Sequence, residues 1–185
     1  MPSTLNLKIR GFKKGDLAAL SSIEKVSFKD PYPSTLILTL SRLSPEYFLV
    51  AEVSGKPAGY ISALAKFGGT AHLISLAVHP QYRKLGVAKS LVKTLIGRLK
   101  AGGFMKVTLE VRVSNKPAMT LYQSLGFKPS GKLPSYYEDG EDAQVMVLSL
   151  STQAQKLNSA STLQPKHHGQ NRLKTASEEA KQIKK

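Results

Sequence analysis

Apolar and polar residues follow two different periods along the first 150 residues, and these periods predict both strands and helices. A period of two, typical of strands, occurs in LNLKIR (5–10) and KVTLEVRV (106–113). Apolar residues at helical spacing follow Asp16, which we expect to cap a first helix ending near Phe28. The same spacing returns between Val87 and Lys100, where Gly102 and Gly103 supply a stop.

Short apolar runs bounded by turn residues predict the other strands. YFLVAEV and AGYISALAKF form a hairpin around SGKP, AHLISLAV follows a Gly-Gly loop, and FKPSGKL and AQVMVLSL come last. A short helix, capped by Ser114 and Asn115 with Pro117 in its first turn, ends at Gly126. The proline-bounded TLILTL suits either a second helix or a strand. The order is β-α-(α)-β-β-β-α-β-α-β-β, a mixed α/β domain.

The predicted domain covers residues 1–150 and is followed by a segment of different composition. Residues 151–185 are rich in Ser, Gln and Lys and poor in large apolar side chains. Such a segment buries too little surface to offset the entropy cost of ordering it. We therefore expect residues 151–185 to be a basic, disordered tail.

Composition narrows the classes of function. The chain of 185 residues has no cysteine, which excludes disulfides, thiolate zinc sites and a cysteine nucleophile. It has neither a long apolar run nor a secretory leader, so we expect a cytoplasmic protein without membrane contact. The net charge of +15 favours polyanionic partners, which leaves nucleic acid, ribosomes and phosphorylated cofactors open.

The loop RKLGVA, between a predicted strand and the helix from Val87, is a candidate anion site. Amides at a helix N-terminus carry partial positive charge, Gly86 lets a ligand approach the backbone, and Arg83, Lys84 and Lys89 add cations. An ordinary βα turn with solvated lysines explains the same residues equally well.

A second glycine motif, GFKPSGKL, partly fits a nucleotide-binding P-loop. Leu133 stands where that loop needs Ser or Thr for magnesium, and Pro134 stands where the next helix should begin. We therefore do not expect ATP or GTP to bind there.

Three motifs in order, ISLAVHPQYRKLGVAKSLV, LEVRVSNKPAMTLYQSLGF and YYEDGEDAQVM, resemble the GNAT acyl-CoA N-acyltransferases. Within that superfamily they are most similar to the protein N-terminal branch, which includes the ribosomal-protein-alanine and archaeal N-alpha-acetyltransferases. The resemblance is continuous from about His72 to Leu150. It implies a mixed, mostly antiparallel sheet splayed between its fourth and fifth strands, with helices on both faces.

The resemblance also implies acetyl-CoA as acetyl donor and no metal. In the family, loop amides hold the pyrophosphate, a strand end pairs with the pantetheine arm, and an asparagine and a tyrosine lie near the cofactor. The matching positions here are Leu76, Ala77, Val78, Arg83, Lys84, Leu85, Gly86, Val87, Ala88, Lys89, Asn115 and Tyr122.

Acetyl transfer to an amine needs a base and a stabilised leaving thiolate. Glu110 projects from a strand opposite to Leu109 and Val111, and its counterpart in the family is the general base. The counterpart of Tyr122 assists the thiolate, although its apolar helical face alone would favour a core tyrosine. His72 matches a histidine of archaeal relatives. A structural or water-ordering role is favoured over catalysis, and a histidine at a strand start is often simply exposed.

The substrate end of the resemblance consists of aromatic residues. Tyr136 and Tyr137 match paired tyrosines that hold the peptide backbone, and Phe28 and Tyr32 match the lip facing them. The acidic residues after Tyr137 read as a solvated turn. Relatives that favour substrates with a small first residue carry a Leu-Pro-Glu-Asn-Tyr stretch, and this chain has SFKDPYP in its place. The first residue that this chain prefers in a substrate is therefore left open.

The resemblance thus implies acetylation of the α-amine of a protein or peptide in a ternary complex with acetyl-CoA. Two alternatives stay open: an acetyltransferase acting on lysine side chains or small amines, and a basic module that binds nucleic acid or ribosomes. Basic surface and tail would supply ribosome or nucleic-acid contact as a secondary property.

Overall fold

The computed structural model describes residues 6–150. Their order of strands and helices is the predicted one, with the TLILTL segment helical. The seven strands are β1 (Leu7–Gly11), β2 (Phe48–Val53), β3 (Lys56–Lys66), β4 (Thr70–Val78), β5 (Lys106–Arg112), β6 (Lys128–Leu133) and β7 (Ala143–Ser149). The α-helices are α1 (Leu17–Ser27), α2 (Ser34–Leu43), α3 (Val87–Ala101) and α4 (Lys116–Ser124). The predicted tail, 151–185, lies outside the described residues.

All seven strands form one sheet in the order β1-β2-β3-β4-β5-β7-β6. Neighbouring strands are antiparallel except β4 and β5, which are parallel. The parallel pair is also short, because it runs only from Thr70 opposite Lys106 to His72 opposite Thr108. Beyond these residues the two strands separate, so the predicted splay between the fourth and fifth strands is confirmed.

Apolar side chains form a core on each face of the sheet. On one face α3 and α4 pack through Leu91, Leu95 and Tyr122. On the other, α1 and α2 pack through Leu20 and Ile37. Because side chains alternate along β5, Val107, Leu109 and Val111 join the α3/α4 core, whereas Thr108, Glu110 and Arg112 point to the α1/α2 face.

A β-bulge shapes β4 at the beginning of the split. Ser62 of β3 lies opposite Ser75, and the next residue, Ala63, lies opposite Leu73, so Ile74 is an extra residue in β4. Ile74 joins the α1/α2 core, and the hydroxyl of Ser75 contacts Tyr60 of that core. The bulge therefore turns two consecutive side chains of β4 toward α1 and α2.

Two local expectations can be compared with the structure. TLILTL is helical because Leu36, Ile37 and Leu40 are buried while Thr35 and Thr39 stay exposed, which is a helical and not an alternating pattern. Asp16 occupies the expected N-cap position of α1, but its side chain makes no capping hydrogen bond. Asp16 precedes α1, but its carboxylate binds the Arg10 guanidinium at 2.7 and 2.8 Å and the Lys13 amide instead of the amides of α1.

GFKPSGKL begins just after α4, with Gly126 and Phe127, and continues into the edge strand β6, a context that differs from the strand-to-helix turn of a P-loop. Among the described residues, no helix has the length and apolar character needed to span a membrane.

Candidate active site

A cleft of about 160 Å³ lies where β4 and β5 separate. Residues from distant parts of the chain line it, including Phe28, Asp30, Glu110, Arg112, Tyr122 and Tyr137. Glu110 and Arg112 reach it from the α1/α2 side of the sheet, whereas Tyr122 comes from the α3/α4 core. The cleft therefore joins the two faces of the sheet.

Glu110 and His72 form a close pair at the beginning of the split. Glu110 Oε2 lies 2.8 Å from His72 Nε2, and the two side chains are 13% and 4% exposed. Because an ionised carboxylate can only accept a hydrogen bond, this contact places a proton on Nε2. His72 Nδ1 lies 3.5 Å from the Thr108 hydroxyl. His72 is thus buried, and the interpretation of a simply exposed histidine is wrong.

Tyr122 lines the cleft and also belongs to the core. Its side chain is buried and packs edge-on against Phe127 with ring centroids 5.4 Å apart. Burial raises the pKa of Tyr122 well above its ordinary value, and the nearby Tyr137 adds to the shift. The hydroxyl therefore stays protonated at neutral pH and can donate a hydrogen bond or a proton into the cleft. The packing that favoured a core tyrosine and the predicted site role coexist at this residue.

The predicted anion loop leads into α3 on the α3/α4 side of the sheet. Gly86, the N-cap, has φ +80° and adds no side-chain cap, so the first amides of α3 lack a side-chain acceptor there. Lys84 also adopts a positive φ, +61°. Arg83 does not extend freely: its Nε donates to the Val78 carbonyl at 3.0 Å, which ties the loop to the end of β4. These features fit a phosphate-bearing ligand.

The other predicted donor-binding positions divide into two groups. Leu76 and Asn115 line the cleft. Asn115 Oδ1 also accepts from the Ala118 amide at 3.1 Å, so it caps α4 as expected. Ala77, Val78 and the loop from Arg83 to Lys89 lie outside the lining of the cleft. Their predicted contacts with acetyl-CoA stay predictions.

The predicted peptide-binding aromatics gather on the α1/α2 side. Phe28 and Tyr137 line the cleft. Tyr136 and Tyr137 are buried and pack edge to face, with ring centroids 5.1 Å apart. The pKa of Tyr137 is raised to about 12, chiefly by burial, while Arg112 lowers it and Glu110 raises it by smaller amounts. Tyr32 is buried in the α1/α2 core, where burial and nearby Glu24 raise its pKa, so this hydroxyl is also protonated.

Arg112 was missed by sequence reasoning, and it organises the mouth of the cleft. Its guanidinium carbon lies 3.9 Å from the centre of the Tyr137 ring, and its Nη1 donates to Asp139 and Glu141 at 2.8 Å. Arg112 lowers the pKa of Asp139 to about 2. Lys29 reaches the same carboxylate at 3.3 Å, and Arg112 Nη2 lies 3.9 Å from Asp30. The alternation of β5 was the available signal, because it places Arg112 on the same face as Glu110.

The acidic turn is therefore more than solvated charge. Asp139 and Glu141 bind Arg112, and Asp142 accepts from the Ser135 amide at 2.9 Å. These contacts link the α1–α2 loop, the end of β5 and the β6–β7 loop around one opening.

Comparison with known proteins agrees with this arrangement. The profile described as "Acetyltransferase (GNAT) family" matches residues 17–127. The chain belongs to the GNAT acetyltransferase family. The family resemblance inferred from the sequence is confirmed, and so is acetyl-CoA as the acetyl donor.

Relatives of this acetyltransferase include archaeal proteins. An uncharacterized N-acetyltransferase of Methanocaldococcus jannaschii is 43% identical over 140 residues, which cover 75% of this chain and 89% of the relative. An N-alpha-acetyltransferase of Sulfurisphaera tokodaii is 34% identical over 155 residues, 77% of this chain and 93% of the relative. The crystal structure of Ard1 from Thermoplasma volcanium superposes with a TM-score of 0.75 at 31% identity, covering 79% of this chain and 99% of that one.

We expect Arg112→Met to weaken binding of the acetyl acceptor by this acetyltransferase. The change removes the cation that holds Asp139 and Glu141 and that stacks on Tyr137. Partly exposed ion pairs contribute modestly, so the KM for the acceptor should rise about three- to tenfold while the KM for acetyl-CoA stays the same. Steady-state kinetics with each substrate varied measures both constants. Arg42→Met, on the exposed side of α2, is the matched control; an equal rise in that variant would contradict a specific role for Arg112.

Proposed function

We propose that the protein is an N-terminal α-acetyltransferase that moves acetyl from acetyl-CoA to the α-amine of a protein or peptide. The observation that carries the proposal is the cleft through the sheet, which exposes Glu110 and Tyr122 to one space. The donor loop lies on the α3/α4 side, and the aromatic lip lies on the α1/α2 side. Two substrates entering from opposite faces can therefore meet without a covalent enzyme intermediate.

The proposed roles conserve atoms and charge. A peptide α-amine, with an ordinary pKa of about 7.7 to 8.0, is mostly protonated at pH 7 and must lose a proton to attack. Glu110 accepts this proton, directly or through water, and His72 holds the carboxylate in place. As the C–N bond forms and the C–S bond breaks, the sulfur leaves as a thiolate and the nitrogen releases its second proton. Tyr122 gives its proton to the sulfur and regains one from the nitrogen through water, so the products are the amide and the free thiol.

The preference for a peptide acceptor rests on the aromatic residues on the α1/α2 side of the cleft. Phe28 and Tyr137 offer apolar ring faces, and Tyr32 and Tyr136 bring further buried hydroxyls nearby. Rings with hydroxyls can pack against a peptide and hydrogen-bond to its backbone while the amine points toward Glu110. The N-alpha-acetyltransferase name of the Sulfurisphaera tokodaii relative supports the same acceptor class.

A peptide array tests the proposal. Each sequence is presented once with a free α-amine and once with that amine blocked, at several first residues, and acetylation is followed by mass spectrometry. We expect modification of unblocked members only. Equal modification of blocked members that contain lysine would instead support the side-chain alternative.

We also propose that residues 151–185 are a basic extension of the catalytic domain, 1–150. The extension contacts ribosomes or nucleic acid and is dispensable for peptide acetylation. The segment contains seven Lys or Arg and two Glu, so it carries +5 of the net charge. Deleting it should weaken salt-sensitive RNA binding and leave peptide turnover within about twofold, because phosphate contacts follow charge. Filter binding at two salt concentrations and steady-state turnover measure the two effects. Lost turnover would show that the extension belongs to the catalytic unit.

A further inference from the structure

Glu24, on α1, is a buried carboxylate to which the mechanism above gives no role. Its side chain is fully buried in the α1/α2 layer, beside Leu20 and Ile23, and does not line the cleft. Burying an acidic group among apolar residues is costly unless hydrogen bonds compensate. The partners of Glu24 therefore indicate what the residue holds in place.

The two carboxylate oxygens of Glu24 bind different parts of the α1/α2 side of the molecule. Oε2 accepts from the Tyr32 amide at 2.8 Å. Oε1 accepts from the Tyr60 hydroxyl and lies 3.4 Å from the Ser75 hydroxyl, and these two hydroxyls are 3.1 Å apart. Burial and Glu24 raise the pKa of Tyr60, so its hydroxyl stays protonated and can donate. One side chain thus joins α1 to β3, β4 and the α1–α2 loop.

The Tyr32 contact fixes an irregular segment. Residues 28–33 connect α1 to α2, and Pro31 and Pro33 on either side of Tyr32 have no amide proton to donate. Between these two prolines, Tyr32 N–H is the backbone donor that can anchor the turn, and Glu24 Oε2 is its acceptor. The lip residue Phe28 begins this segment as the C-cap of α1, where its amide donates to the backbone carbonyl of Glu24 at 3.0 Å, a bond that does not depend on the Glu24 side chain.

The other oxygen leads to the opposite wall of the cleft. Ser75 follows the extra residue of the β4 bulge, and Ile74, Ser75 and Leu76 line the cleft. The buried Glu24 carboxylate therefore hydrogen-bonds both to the Phe28–Tyr32 lip and to this wall of the cleft. The spacing between them is then set by hydrogen bonds beneath the cleft and not by residues that touch the substrate.

We propose that Glu24 is a positioning residue that fixes the Phe28–Tyr32 lip against the β4 wall and thereby sets affinity for the acetyl acceptor. The inference rests on the proposed function, because it takes this lip as the acceptor-binding surface. It assigns Glu24 no contact with either substrate. Its effect should appear in the KM for the acceptor and not in the KM for acetyl-CoA.

Glu24→Gln tests the proposal with a side chain of nearly the same shape. Its amide replaces one acceptor oxygen by a donor, so it cannot accept from both Tyr32 and Tyr60. We expect the KM for the acceptor to rise about tenfold, the size expected from losing one charge-assisted hydrogen bond. The KM for acetyl-CoA should change less than about twofold. Tyr60→Phe keeps the Tyr32 bond and should raise the acceptor KM less, and the exposed Glu46→Gln is the matched control.

The outcomes separate positioning from general stability. Equal rises in both KM values, or a lowered Tm with an unchanged acceptor KM, would overturn the proposal. Amide hydrogen exchange in the wild-type protein, measured by NMR, needs no variant: we expect slow exchange at Tyr32, and rapid exchange there would also overturn it. If the wild type modifies only lysine side chains, the proposed function fails, yet the same KM comparison with a lysine acceptor still decides the role of Glu24.

Discussion

Glu110→Gln should lower kcat about a thousandfold and leave the KM for acetyl-CoA within about twofold. General base catalysis by a positioned side chain contributes on the order of 10²- to 10⁴-fold, and glutamine cannot take up the proton of the amine. The fold should persist, because the glutamine oxygen can still accept a hydrogen bond from His72 Nε2, which in the wild-type protein lies 2.8 Å from the Glu110 carboxylate. Steady-state kinetics with both substrates varied measures the two constants, and Glu46→Gln is an exposed control.

The pairing with His72 adds a second arm to this experiment. If His72 acts by holding Glu110, then His72→Phe should lower kcat in the wild-type background and have little further effect in the Glu110→Gln background. Independent, multiplying losses would mean that His72 has a catalytic task of its own. An unchanged kcat in Glu110→Gln would remove Glu110 from the role of base.

Tyr122→Phe is expected to lower kcat about a hundredfold with little loss of stability. The phenylalanine ring keeps the packing against Phe127 and loses only the hydroxyl of this cleft-lining residue. A tyrosine that merely fills the core would tolerate this change, whereas a donor to the leaving sulfur would not. Tyr47→Phe, at the turn before β2, provides the matched control.

The pH profile sharpens the second prediction. Because burial raises the pKa of Tyr122, its protonated, donating form persists above the ordinary pKa of about 10. The kcat of the wild-type protein should therefore show no decline from this group up to about pH 10.5, where a tyrosine with the ordinary pKa would be mostly ionised. A kcat equal to that of the wild type in Tyr122→Phe would contradict the assigned role.

The local part of the fold was predictable from the sequence. The order of strands and helices follows from periodicity and turn residues, and α3 begins at Val87 as expected. TLILTL was ambiguous because six residues fit both periods, and the structure decides it through burial against β2 and β3. The N-cap position of Asp16 was predictable, but the partner of its carboxylate was not, because Arg10 lies on a preceding strand.

The candidate site was predictable where a motif carries it and not where only the fold does. Glu110 and Tyr122 were identified through the family resemblance, and the structure brings both to one cleft. The contact of His72 with Glu110 depends on the parallel register of β4 and β5, which leaves no local signal. Glu24 lies on the buried face of α1, where its partners from β3 and β4 appear only after folding.

The central claim is that the acceptor is an α-amine. The most direct test is one peptide that carries both a free α-amine and an internal lysine, incubated with acetyl-CoA and the protein. Fragment masses locate the added acetyl group. Our account predicts that it lies on the N-terminal nitrogen and that Glu110→Gln abolishes most of the product. Acetyl found exclusively on the lysine side chain would contradict it.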